Sequence, residues 1–136
     1  MKVIIKEDYK NMDFEKIAGM LENAYWSIGI SVDEVKERAA NSNFVFGAFV
    51  EGNQVGYARV ITDKICFAYL LDVYVDEHYR KLGIGKQIIE YILFHPELKK
   101  VNKWLLITKN AHKFYNKFGF SPVDRPLDWM ELTKQK

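Results

Sequence analysis

The sequence predicts an α+β fold, one domain with a mixed sheet, and three observations carry that prediction. Apolar residues recur at helical spacing in several stretches, runs rich in β-branched and aromatic residues stand between them, and the two kinds of segment do not alternate one for one. Their order is β-α-α-β-β-β-α-β-α-β, with no internal repeat and no linker-like stretch to divide it. At 136 residues the chain fits one domain, 1–136, and is too short for two ordinary ones.

The segment KVIIK has the β-branched content of a short strand. From Asp13 to about Tyr25 the residues Phe14, Ile17, Ala18, Leu21 and Tyr25 fall on one helical stripe. Ser31 followed three residues on by Glu34 reads as a capping box, and it opens a second helix over VDEVKERAA that fades at the polar NSN. Between the helices lies an aromatic connector, YWSIGI. From Phe44 the period changes: FVFGAFV, EGNQ and VGYARVIT make a hairpin, with Gly52 and Asn53 supplying the turn. ICFAYLLDVYV is apolar at nearly every position, the mark of a central strand covered on both faces, so its one charge, Asp72, calls for an explanation. Ile84, Ile88, Ile89 and Ile92 form a helical stripe that stops at His95, before Pro96, whose ring cannot continue a helix. KWLLIT is a further strand, and NAHKFYNKF a further helix closed by Gly119 in the left-handed position. FSPVDRPLDWMEL, interrupted by two prolines, is expected to add an edge strand at each end.

Composition removes several classes of function. With 49% hydrophobic and 28% charged residues the chain has the balance of a soluble globular domain, and no stretch is apolar for long enough to span a bilayer, so no membrane partner is expected. A net charge of +2, with the basic residues dispersed, argues against a nucleic-acid partner. The single cysteine, Cys66, excludes an internal disulfide; lying in an apolar run with no histidine or acid arranged near it, it is expected to be a buried core thiol. His78, His95 and His112 are far apart without a second ligand at metal spacing, so no metal is expected. The start, MKVIIKEDYK, is too charged for a signal peptide, and with the lone cysteine it points to the cytoplasm.

The chemistry concentrates at RKLGIGKQ, residues 80–87, where two glycines stand between basic residues directly after a strand. A dinucleotide fingerprint would need a third glycine where Ile88 stands, and a Walker loop would need glycine at Arg80 and a hydroxyl at Gln87. Both readings fail on residues. A third remains: a short turn into a helix whose first N–H groups, unpaired within the helix, converge on a pyrophosphate, with Gly83 and Gly85 keeping side chains out of its way. The plainer alternative is a solvated basic turn.

The stretch LLDVYVDEHYRKLGIG, with Arg80, Gly83 and Gly85, followed by TKNAHKFYNKFGF, with Ala111, Phe114, Tyr115, Gly119 and Phe120, resembles the two motifs of the GNAT superfamily of acyl-CoA-dependent N-acyltransferases. The order of elements is similar along nearly the whole chain. One departure is visible, since Thr108 stands where many members carry asparagine. The resemblance implies a mostly antiparallel central sheet flanked by helices, with the central strand splayed from its neighbour and its free backbone binding the pantetheine arm of acetyl-CoA. The cofactor-binding residues it implies are Val73, Tyr74 and Val75 on that strand, Arg80, Lys81, Gly83, Ile84, Gly85 and Lys86 at the turn, and Thr108.

The implied reaction is attack of a neutral amine on the thioester carbonyl. An N–H near Val75 is the implied donor to the oxyanion. Tyr115 matches the tyrosine that protonates the departing sulfur, and a phenol is protonated at neutral pH. Asp72 is the candidate base; as a structural residue it would instead be satisfied by nearby main-chain or basic groups. For the acceptor, Tyr25 and Trp26 in the connector are expected to offer an apolar or cation-binding face, and Arg59 to meet an acceptor carboxylate. The expectation is thus a cytoplasmic acetyl-CoA-dependent N-acetyltransferase acting on a small amine or peptide, with a homodimer left open. Its rival is a GNAT-like acyl-CoA sensor or interaction module without catalysis.

Overall fold

The computed structural model describes residues 1–134. Nine elements build it: β1 (Ile4–Glu7), α1 (Phe14–Leu21), α2 (Val32–Ala40), β2 (Phe44–Val50), β3 (Asn53–Thr62), β4 (Ala68–Val75), α3 (Ile84–Leu93), β5 (Trp104–Leu105) and α4 (His112–Asn116). The five strands form one sheet in sequence order. β1 to β4 pair antiparallel, and β5 joins β4 in parallel through only two residue pairs, Ala68 with Trp104 and Tyr69 with Leu105.

Local chemistry starts the helices where the sequence places them. Asp13 accepts the Lys16 N–H at 3.1 Å to open α1, and Ser31 accepts the Glu34 N–H at 3.1 Å to open α2 while its hydroxyl donates to the Glu34 carboxylate at 3.3 Å. The two helices lie on one face of the sheet, burying Ile17, Leu21, Val35 and Ala39 against Val45, Phe49 and Tyr57. On the other face α3 buries Ile84, Ile88, Ile89 and Ile92 against Phe46, Ala58, Val60 and Leu70. Each buried isoleucine contributes about 1.5–3 kcal/mol, so the core fixes α3 and thereby the turn that precedes it.

Several expectations are corrected. The hairpin turns on Glu51 and Gly52, both at positive φ (50° and 81°), and Asn53 already pairs with Val50. α1 ends at Leu21, which leaves Tyr25 in the connector. The central strand begins only at Ala68, because the Asp63 carboxylate accepts the N–H groups of Ile65, Cys66 and Phe67 and folds that stretch into a turn. Cys66 is consequently exposed, its thiol 2.7 Å from Asp63, and is not a core residue. β4 is half-buried along most of its length and not covered throughout. No strand forms in residues 118–134; Pro122 and Pro126 cannot donate to a ladder and Arg125 sits at φ 83°.

Candidate active site

The strand that carries the site changes course midway. Between the pairs Tyr57–Tyr74 and Arg59–Leu71 the register shifts, so that Asp72 and Val73 together oppose the single residue Ala58. Asp72 takes φ 54° at this bulge, a left-handed conformation that aspartate tolerates better than most residues and that re-aims its side chain. Beyond Tyr69 and Leu105 β4 and β5 no longer pair. The Asp76 N–H bonds back to the Val55 carbonyl on β3 at 2.8 Å. By the alternation of the strand beyond the bulge, the N–H and C=O of Val75, and the C=O of Val73, face the gap toward β5. The Val75 carbonyl accepts the Arg80 guanidinium at 3.0 Å, and that guanidinium also lies over the Tyr74 ring at 4.9 Å.

The glycine turn ends at Gly83, which holds φ 83° as the residue before α3 and gives the helix no side-chain cap. The first intrahelical bond runs from Gln87 N–H to Gly83 C=O at 3.1 Å, so the N–H groups of Ile84, Gly85 and Lys86 have no partner within the helix. A Cβ placed on Gly83 would meet nothing within 4 Å. Lys81, Lys86 and Arg80 are exposed around this end, beside the partial positive charge of the helix terminus. Gly85 also serves packing: its Cβ would stand 3.3 Å from the ring of Phe114, so its smallness lets α4 close on α3.

On α4, Tyr115 is buried, its ring edge-on to Phe114 at 5.0 Å and to Phe120 at 5.8 Å. Burial, with the nearby Tyr25 phenol adding to it, pushes its hydroxyl up to about 12; the neutral, proton-bearing form is therefore the one present at neutral pH. Thr108, at the end of the segment after β5, accepts the Ala111 N–H at 3.0 Å and so holds the start of α4, keeping its own proton free to donate.

The expected acceptor residues form one connected group. The Asp72 carboxylate accepts the Arg59 Nε–H at 2.6 Å and the Trp26 indole N–H at 2.8 Å, and Arg59 Nη1 donates to Ser42 Oγ at 3.3 Å. Arg59 is thus buried and committed to Asp72, against the expectation that it meets an acceptor carboxylate. Next to Trp26, the Tyr25 hydroxyl accepts the Lys109 N–H at 2.9 Å. Two members escaped the sequence reading. Ser42 gave no signal in the polar NSN, and Tyr57, nearly inaccessible, has a buried hydroxyl without a hydrogen-bond partner. Burial, and then the Asp72 charge, push that phenol upward. Its place in an alternating strand could have marked it as inward-facing, but not as a neighbour of Asp72 across the bulge.

Comparison with known proteins follows the geometry. The acetyltransferase (GNAT) domain family model matches residues 41–122. Over 85 residues, 60% of the chain, it is 34% identical to FG08082 of Gibberella zeae, a protein named as a candidate acetyltransferase; the chain spans about half the length of that curated relative, 46%. The crystal structure of a candidate acetyltransferase assigned to the GNAT family, from Xanthomonas campestris pv. campestris, superposes with a TM-score of 0.92 at 33% identity, covering 98% of this chain and 94% of that one. A candidate acetyltransferase of Clostridium acetobutylicum, whose structure is described with acetyl-CoA, has a TM-score of 0.71 at 16% identity over 97% of this chain and 96% of its own. The last likeness is one of fold.

Proposed function

The chain belongs to the acetyltransferase (GNAT) domain family, and from that premise we propose that it is an acetyl-CoA-dependent N-acetyltransferase acting on a primary amine of a small molecule or peptide. The observation that carries this reading is the uncapped start of α3, where three backbone N–H groups have no partner within the helix and Gly83 leaves the space beside its own Cα open. Donors of that kind, with a helix dipole behind them, suit a diphosphate. The Val73 C=O, turned into the gap beside β5, suits a peptide-like arm, since a buried backbone group left unpaired is costly. Bound there, acetyl-CoA supplies an acyl group activated as a thioester.

The remaining steps belong to this chain. The Val75 N–H donates to the carbonyl oxygen as negative charge develops on it. The Tyr115 hydroxyl, kept protonated by burial, donates its proton to the departing sulfur. Asp72 is our candidate to receive the amine's proton through water, since each oxygen, having accepted one hydrogen bond, retains a second acceptor site. Arg80 and Tyr74 shape the strand end, Lys81 and Lys86 supply charge, Ile84 and Gly85 contribute main-chain donors, and the Thr108 hydroxyl is free to donate. A cytoplasmic setting belongs to the same proposal and rests on the single, exposed thiol.

Two substitutions at one position test it. Asparagine and aspartate both tolerate the left-handed backbone of Gly83, and neither Cβ meets a neighbour. G83D differs from G83N mainly by a negative charge where the diphosphate would bind. Titration calorimetry with acetyl-CoA should give G83D at least about tenfold weaker binding than G83N, a difference of about 1.4 kcal/mol. Equal affinities for the two variants, both as tight as wild type, would remove the phosphate assignment.

A further inference from the structure

The connector between α1 and α2 reaches both sides of the gap in the sheet through two adjacent residues. Trp26 is tied to β4 through Asp72 at 2.8 Å, and Tyr25 to the backbone just past β5 through the Lys109 N–H at 2.9 Å. Their rings meet edge-on at 5.0 Å. The pair therefore crosses the mouth between the strands, and its polar ends face inward to the protein. What it offers outward is ring surface: Tyr25 remains 44% exposed and Trp26 43%. The aliphatic residues nearest in sequence to the two anchor points, Ile28 and Ile107, are 78% and 79% exposed.

Charge at this mouth is already cancelled. The Asp72 carboxylate and Arg59 guanidinium are 2.6 Å apart, with side-chain exposures of only 5% and 10%, and the second Arg59 contact goes to Ser42. Neither a free guanidinium for a substrate carboxylate nor a free carboxylate for a second ammonium is presented. At the rim Lys109 lies 5.6 Å over the Tyr25 ring, on a face that an incoming ammonium would use. A polycation meets like charge there, and an acidic acceptor finds only that exposed lysine and no buried partner to receive it.

Resting on the acetyltransferase reading above, we infer that the acceptor is a monoamine carried on an aromatic or apolar body, with Trp26 as the residue that selects it. The body packs on the outward face of Trp26, beside Tyr25, while the amine reaches toward the gap. Asp72 and Arg59 act in this selection as positioning residues that hold the indole in place.

The test uses the full chain with 2-phenylethylamine, spermidine and glutamate as acceptors, following free CoA, with acetyl-CoA affinity measured separately by calorimetry. 2-Phenylethylamine should give the highest kcat/KM. W26A should raise its KM about tenfold with acetyl-CoA affinity unchanged, whereas W26F, which keeps a ring but loses the bond to Asp72, should recover most of that loss. Preference for spermidine or glutamate overturns the inference, as does an unchanged KM in W26A. Binding of acetyl-CoA without CoA release on any of the three amines overturns it while leaving the cofactor assignment standing. No binding of acetyl-CoA by the wild type overturns the acetyltransferase reading and this inference together.

Discussion

At the scale of single residues, Tyr115 carries the sharpest consequence. Its hydroxyl is held protonated by burial, with an upward displacement to about 12, so the acid required by the proposed mechanism is populated across the neutral and mildly alkaline range. Y115F removes the proton and keeps the ring packed against Phe114 and Phe120. Turnover should fall on the order of 10²-fold, with acetyl-CoA affinity within about twofold of wild type. In the wild type, any loss of rate due to this phenol should appear only above the pH at which an ordinary phenol ionises, about 10. A rate unaffected by Y115F would assign the proton to another group. The family motifs that hold this residue and the glycines were legible from short-range spacing, because a motif is a local pattern. The Trp26–Asp72 bond was not, since it joins positions 46 apart in sequence and depends on a bulge that no local signal announces. Arg59 was misread for the same reason: an arginine in a strand shows nothing of the carboxylate that the bulge turns toward it.

At the scale of elements, the contact of α3 with α4 connects the glycine turn to the proposed acid. Gly85 has no backbone strain, and its requirement comes from Phe114, whose ring a Cβ would approach to 3.3 Å. G85A should gain up to about 1 kcal/mol of helix propensity and lose about 1–3 kcal/mol through overpacking. The melting temperature should therefore move by only a few degrees, measured by circular dichroism. The shift falls on the residue adjacent to Tyr115, however, so kcat should drop by roughly tenfold while the fold persists. Unchanged kcat would mean that α4 yields without moving the phenol. The helices were readable because amphipathic stripes and caps are written locally: α2 spans Val32–Ala40, the very segment its capping box announces. The last strands were less readable. β5 shrinks to two residues because its partner diverges from it, and the C-terminal segment has β-type residues but two prolines and a left-handed Arg125. Pairing is decided by neighbours in space, and an apolar run does not name them.

At the scale of the whole molecule, the buried ionisable groups set the pH range over which the fold is most stable. Tyr57 and Tyr115 are both displaced upward by burial. The folded state thus holds their protons more tightly than the unfolded chain, whose phenols titrate near about 10. Their contribution is complete below that value and is lost as the pH rises through the folded-state range. On the acid side, Asp76 is displaced downward, chiefly by its hydrogen bond from Lys16 at 2.6 Å, which ties α1 to the end of β4. That contribution is present above the unfolded carboxylate value of about 4 and is lost as the pH falls. Urea unfolding should accordingly give a stability plateau between about pH 4 and 10, with a decline on either side. Y57F should flatten the alkaline decline specifically, because it removes the most deeply buried phenol, one without a hydrogen-bond partner to lose. D76N should flatten the acid decline and leave the alkaline one as it was. Wild-type stability that stayed level from pH 9 to pH 12 would show that these phenols ionise in place without opening the fold, and the two-faced core built around Tyr57 and Tyr115 would then have to admit water at both.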